Sequence, residues 1–199
     1  MRRARKSSEE TKKEIISAAE DLFAKKGYKE SSVSEIASHL GMSTASIHKY
    51  YKSKKGLAQA ICSNQIKQHL DYLEIQLAKI EKAREALMYF SLTNIKAFYL
   101  NNYSSTWNYE LYFYALEDDK TILYNAQSRM IEMFKNILSK GVTNGELKHN
   151  APDSAEQVYD ALQSVMHPVL LRHISQIEAS ERAHKLITLI LNALYIDRT

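Results

Sequence analysis

Cysteine is almost missing from this 199-residue chain: Cys62 stands alone. No intrachain disulfide can form, and nothing points to an oxidising compartment. Five glycines and two prolines fall far below ordinary usage, which argues against a loop-rich or hairpin-rich architecture. No apolar run approaches a membrane span, and even Ile187 to Leu194 is interrupted by Asn192 and preceded by Lys185. The basic start lacks the apolar stretch of a signal peptide, so a cytoplasmic location and no membrane partner are expected. What remains plentiful is Leu, Ile, Ala, Lys, Glu and Gln, a composition that favours helices almost throughout.

The net charge of +4 conceals an asymmetry. Through Ala60 there are thirteen Lys or Arg against seven Asp or Glu; the rest has fourteen against sixteen. A basic head on a slightly acidic body suggests that a polyanion meets the head only.

Residues 33 to 51 of that head carry the densest pattern. Ile36, Ala37 and Leu40 share a helical face, and Gly41 supplies the positive φ of a tight turn. Met42 and Ile47 point back into the same small core, while Ala37 is small enough for two helices to cross closely. This is a helix-turn-helix, a shape that places its second helix in the major groove of DNA.

Around it the spacing predicts a basic arm over residues 1–8, a helix capped by Ser8 that runs to Lys26 and stops at Gly27, and helices capped by Ser32, Ser43 and Ser53. Later helices are expected over about 83–101, 107–116, 119–140 (ended by Gly141) and 179–196. Another opens with a capping-box pair, Asp153 and Glu156, and kinks at Pro168. The chain is therefore expected to be all-α with about nine helices. Residues 1–54 form a three-helix helix-turn-helix domain, and residues 55–199 a helical bundle for ligand binding and dimerisation.

Two local details favour DNA. Lys54 and Lys55 fall in the first turn of a helix, where the dipole disfavours cations unless a phosphate joins them. Ser43, Thr44, Ala45 and Ser46 are short enough for their backbone to approach the groove floor. His48 and Lys49 follow on the exposed face, Tyr50 reaches toward a phosphate, and Tyr51 packs inward.

The stretches Ala18–Tyr28, Val33–Ala37 and Gly41–Lys54 together resemble the DNA-binding domain of TetR/AcrR-family transcriptional regulators. The resemblance covers about residues 10–60. It implies a homodimer on a two-fold symmetric, double-stranded DNA operator and a C-terminal domain that responds to a small molecule. Carried over by position, Ser32 and Ser34 match the start of the supporting helix. Thr44, Ala45, Ser46 and Lys49 match the base-reading surface, and Tyr50 and Lys54 match phosphate contacts. The chain departs from the family pattern at His48, where a backbone-contacting tyrosine is usual, at Ala45, a frequent glycine, and at Lys55 and Gly56, which replace an acidic pair.

In the body, ten of the nineteen aromatic residues fall between Tyr89 and Tyr114. Such density either fills a core or lines a pocket for an apolar, aromatic or cationic effector. Helix phase selects Phe98 and Trp107, with Phe90 or Phe113, as pocket candidates. His167 beside Pro168 either offers a hydrogen bond to the pocket or is satisfied in the core. The last helices have more apolar surface than one face needs, so a dimer interface is expected from Val158, Leu162, Val165, Val169, Ala183, Ile187, Ile190 and Leu194. His167 and His173 are not at ligand spacing and Cys62 has no neighbour for a metal. Nucleophile-elbow and glycine-rich phosphate motifs are missing. No metal, no cofactor and no catalysis are expected. The competing reading is a small-molecule-binding or protein-interaction module that retains a degenerate helix-turn-helix.

Overall fold

The computed structural model describes residues 7–100, 115 and 120–196. Among these the secondary structure is helical, apart from turns and one isolated antiparallel bridge between Leu147 and Tyr195. The protein is all-α. In chain order the helices are α1 (Ser8–Lys26), α2 (Val33–Leu40), α3 (Thr44–His48), α4 (Lys54–Leu77), α5 (Ala83–Leu100) and α6 (Thr121–Thr143). A 3-10 turn (Ala151–Ser154) then precedes α7 (Ala155–Met166), α8 (Pro168–Leu171) and α9 (Gln176–Leu194). Among the described residues, no helix is long and apolar enough to cross a membrane.

The chain divides into two compact units, Met1–Ile66 with Ser104–Ile122 (the head) and Lys67–Tyr103 with Leu123–Thr199 (the body). The head thus takes in α4 as far as Ile66, beyond the boundary expected at residue 54. Its core gathers Ile15, Ala19 and Phe23 of α1, Ile36 and Ala37 of α2, Ile47 of α3, and Leu57, Ile61 and Cys62 of α4. Burial pushes the Cys62 thiol up to about 12, so it stays protonated and inert.

Several helix ends differ from the sequence expectation, each for a local reason. The N-cap of α1 is Ser7 rather than Ser8, because Glu10 three residues on closes a reciprocal capping box with it. Gly141 does not end α6; it is buried inside it, where a Cβ would stand 2.6 Å from Leu147 Cδ1. Asp153 makes no cap, since its segment is a 3-10 turn without a side-chain cap bond. At Pro168 the chain breaks instead of kinking. The residue before a proline is driven to extended geometry, and His167 sits at φ −65°, ψ 129°. The last helix starts three residues earlier than expected, at Gln176, where Ser175 Oγ accepts the Glu178 N–H at 3.1 Å.

In the body, α9 packs on α5 and α7. Phe90 meets Phe134 edge-on at 4.6 Å between ring centroids, and both are fully buried. Val158, Leu162, Val165, Ala183 and Ile187 are likewise buried within the chain. These five residues of the expected dimer stripe are therefore unavailable to a second copy. What α8 and α9 leave outside is the neighbouring surface, with Leu189 at 68 %, Leu170 at 47 % and Val169 at 44 % exposure. Ile190 and Leu194 are half-buried at its edge.

Candidate DNA-reading surface

Two serine-capped helix starts and one left-handed glycine build the surface. Ser32 Oγ accepts the Glu35 N–H at 3.2 Å, while the Glu35 carboxylate takes the Ser32 N–H and hydroxyl, each at 2.9 Å. This box fixes the first turn of α2. Lys26, in the last turn of α1, pairs with the same carboxylate and ties the two helices together. Lys26 first, then the two Ser32 donors, hold the Glu35 carboxyl below its ordinary value of 4.5.

At the other end of α2, Gly41 adopts φ 63°, ψ 31°. Its N–H reaches Ser38 O at 3.2 Å and the Met42 N–H reaches Ala37 O at 2.9 Å, the paired bonds of a Schellman motif. Met42 then packs on the head core. The chain turns directly into α3, capped by Ser43, whose Oγ accepts the Ser46 N–H at 3.1 Å and lies 2.8 Å from Ser46 Oγ. One fully buried side chain, Ile47, anchors this short helix.

Anchoring at Ile47 decides which residues face outward. Ala45, His48 and Lys49 are exposed, and Ser34 is exposed at the start of α2. Thr44, Ser46 and Tyr50 are half-buried, with Tyr50 packed against the head core beside Tyr51. His48 Nδ1 is 3.3 Å from Tyr51 O, an acceptor, so Nδ1 carries the proton and Nε2 points elsewhere. Ser32 and Ser43 have their hydroxyls engaged in capping. Both shape the surface, whatever else they touch.

Lys54 departs from its expected role. Its ammonium donates to Tyr28 O at 2.9 Å, Lys29 O at 3.1 Å and Ser31 O at 2.9 Å, and lies 4.5 Å from the Tyr28 ring centroid. Three N–H donors meet three carbonyls, so none is left for a phosphate. The sequence held one clue to this: a cation in a helix first turn opposes the dipole and calls for nearby acceptors. The Lys26–Glu35 tie and the bond from Gln65 to Glu20 at 2.9 Å left no such sign.

Of the expected pocket residues, Phe90 belongs to the packed core. Phe98 is buried against Tyr99, with centroids 4.9 Å apart. The Tyr99 hydroxyl is already given to Leu171 O and Ile174 O. His167 is exposed, and its Nδ1 accepts the Val169 N–H to cap α8, so it does not point into the body. Trp107 and Phe113 lie outside the described residues.

Comparison with known proteins accords with this geometry. The family model described as "Bacterial regulatory proteins, tetR family" matches residues 15–61, the span of the head core from Ile15 to Ile61. The chain is 25% identical over 156 residues to the HTH-type transcriptional regulator SrpR of Pseudomonas putida, covering 75% of this chain and 69% of that protein. It is 27% identical over 139 residues to the Fatty acid metabolism regulator protein of Bacillus subtilis (strain 168), covering 68% and 70%. A putative TetR-family transcriptional regulator from Mesorhizobium loti shares the fold, with TM-score 0.72 at 18% identity over 96% of this chain and 100% of that one. Residues 15–61 thus match the tetR-family model of bacterial regulatory proteins, and over most of its length the chain is similar to helix-turn-helix transcriptional regulators.

Proposed function

We propose that this chain is a TetR-family repressor that binds a palindromic operator as a homodimer and leaves it when a small molecule binds the body. The observation that carries the DNA side is the outward surface of Ser34, Ala45, His48 and Lys49, held by capped helices around Ile47. Thr44, Ala45, Ser46 and Lys49 are assigned to base edges. His48 and Tyr50 are assigned to the backbone, with His48 donating to a phosphate when protonated. Such a chain acts in the cytoplasm.

Dimerisation is assigned to the apolar surface left by α8 and α9, centred on Leu189 with Val169 and Leu170. Leu189, Leu170 and Val169 supply exposed aliphatic surface on these last two helices, outside the core already closed within the chain. The effector is assigned to the apolar, aromatic or cationic class, with Phe98, Trp107 and Phe113 as its proposed contacts. The name of the Bacillus relative, a regulator of fatty acid metabolism, supports an apolar acyl compound. Since α4 starts in the head and ends in the body, it is the proposed carrier of the signal. Two recognition helices must sit about 34 Å apart to enter successive grooves, so a shift of a few Å weakens binding. The effector must bind the released state better, or it shifts nothing.

Selection from random duplex DNA tests the proposal. An enriched inverted repeat supports the repressor; the failure of any sequence to enrich favours the interaction module instead.

A further inference from the structure

We infer that Lys54 is a positioning residue for DNA binding: its ammonium plugs a cradle of backbone carbonyls in the α1–α2 turn and thereby fixes the start of α4 to the segment that launches the DNA-facing helices. The cradle is made by Tyr28 O, Lys29 O and Ser31 O, at 2.9, 3.1 and 2.9 Å, with the Tyr28 ring 4.5 Å away on a further side. The next residue along, Ser32, is the N-cap of α2. A displacement of this turn therefore moves the capping box, and with it α2 and the glycine turn into α3. Carbonyl dipoles converging on an ammonium offset the unfavourable field of the α4 N-terminus, which a bare cation there would feel.

Two consequences separate this role from a phosphate contact. A lysine with all three N–H groups engaged releases no counterion when DNA binds, so the salt dependence comes from other cations, among which Lys49 and Lys52 are exposed. Arginine cannot replace it, because a planar guanidinium fork does not present three donors converging from one nitrogen.

The DNA arm of the test rests on the regulator reading; the other arm does not. In the full chain, Lys54→Arg and Lys54→Met are each expected to weaken binding to a duplex enriched by the wild type, about tenfold. The slope of log K against log salt stays that of the wild type. Rescue by Lys54→Arg, or a slope reduced by about 0.9 in Lys54→Met, overturns the inference in favour of a phosphate contact. The second arm uses the unmodified protein without DNA. NMR of the lysine side chains in 13C,15N-labelled protein, with the Lys54 ammonium assigned through its own side-chain carbons, should show a slowly exchanging ammonium shifted by the Tyr28 ring current. A fast-exchanging, unshifted ammonium overturns the inference even if both variants unfold. Should the wild type enrich no duplex, the regulator reading fails while the NMR arm still decides the role of Lys54.

Discussion

The head and the body are held together at different ranges along the chain. In the head, the residues that set the starts of α1, α2 and α3 and the end of α2 lie within a few positions of them: Ser7 with Glu10, Ser32 with Glu35, Gly41 with Ala37 and Ser38, Ser43 with Ser46. In the body, local caps such as Ser175 with Glu178 are joined by distant partners. Lys140 donates to Ala78 O at 2.9 Å and Ile80 O at 3.3 Å, closing the C-terminal end of α4. Arg129 bridges Asp71 and Glu74 from α6, and Arg84 reaches Thr188 on α9 at 3.1 Å.

The largest expected effect tests the body. Phe90→Ala should cost about 3–5 kcal/mol in a denaturant titration, since it leaves a cavity beside Phe134. A near-normal midpoint would return Phe90 to the wall of an effector pocket. In the head, Gly41→Ala should cost about 1–2 kcal/mol from backbone conformation alone. Space is not the reason, because an added Cβ meets nothing within 4 Å. An Asn at the same position should cost less, and equal losses for both would show that φ is not the cause. Ser43→Ala removes one cap and should cost about 1 kcal/mol, read as a lower Tm.

Two smaller effects sharpen the contrast. Leu189→Glu should change the stability of the isolated chain by less than about 0.5 kcal/mol, yet convert a dimer to a monomer in native mass spectrometry. A persistent dimer would move the interface elsewhere. The Glu35 carboxyl, lowered in the folded head, contributes stability that is fully present above 4.5. That contribution is lost as pH falls through its depressed folded value. Removing it with Glu35→Gln should lower the melting temperature at neutral pH, where the contribution is fully present, and flatten the acid side of the head's melting profile.

The same difference in range explains how much was legible in the sequence. Gly41, Ser32 and Ser43 could be read directly, because a left-handed turn and an N-cap are written in residue type and spacing within four positions. Ile47 and Ile36 followed from helical phase. Periodicity also found the apolar stripe of Ala183 and Ile187, but phase alone does not say whose surface covers a stripe, and here α5 and α7 of the same chain do so. Gly141 shows a similar limit. It reads as a helix stop until Leu147, brought back across the following turn, explains why no larger residue fits there. The carbonyl partners of Lys54 could not be read in this way, because backbone carbonyls have no signature in the residue types around it.

Amide hydrogen exchange of the full chain, with and without an enriched duplex, tests the central claim most directly. New protection is expected at Ser34 and across residues 43–50, with Phe90 and Phe134 in the body unchanged. Protection confined to the body, or none in residues 43–50 under saturating duplex, would contradict it.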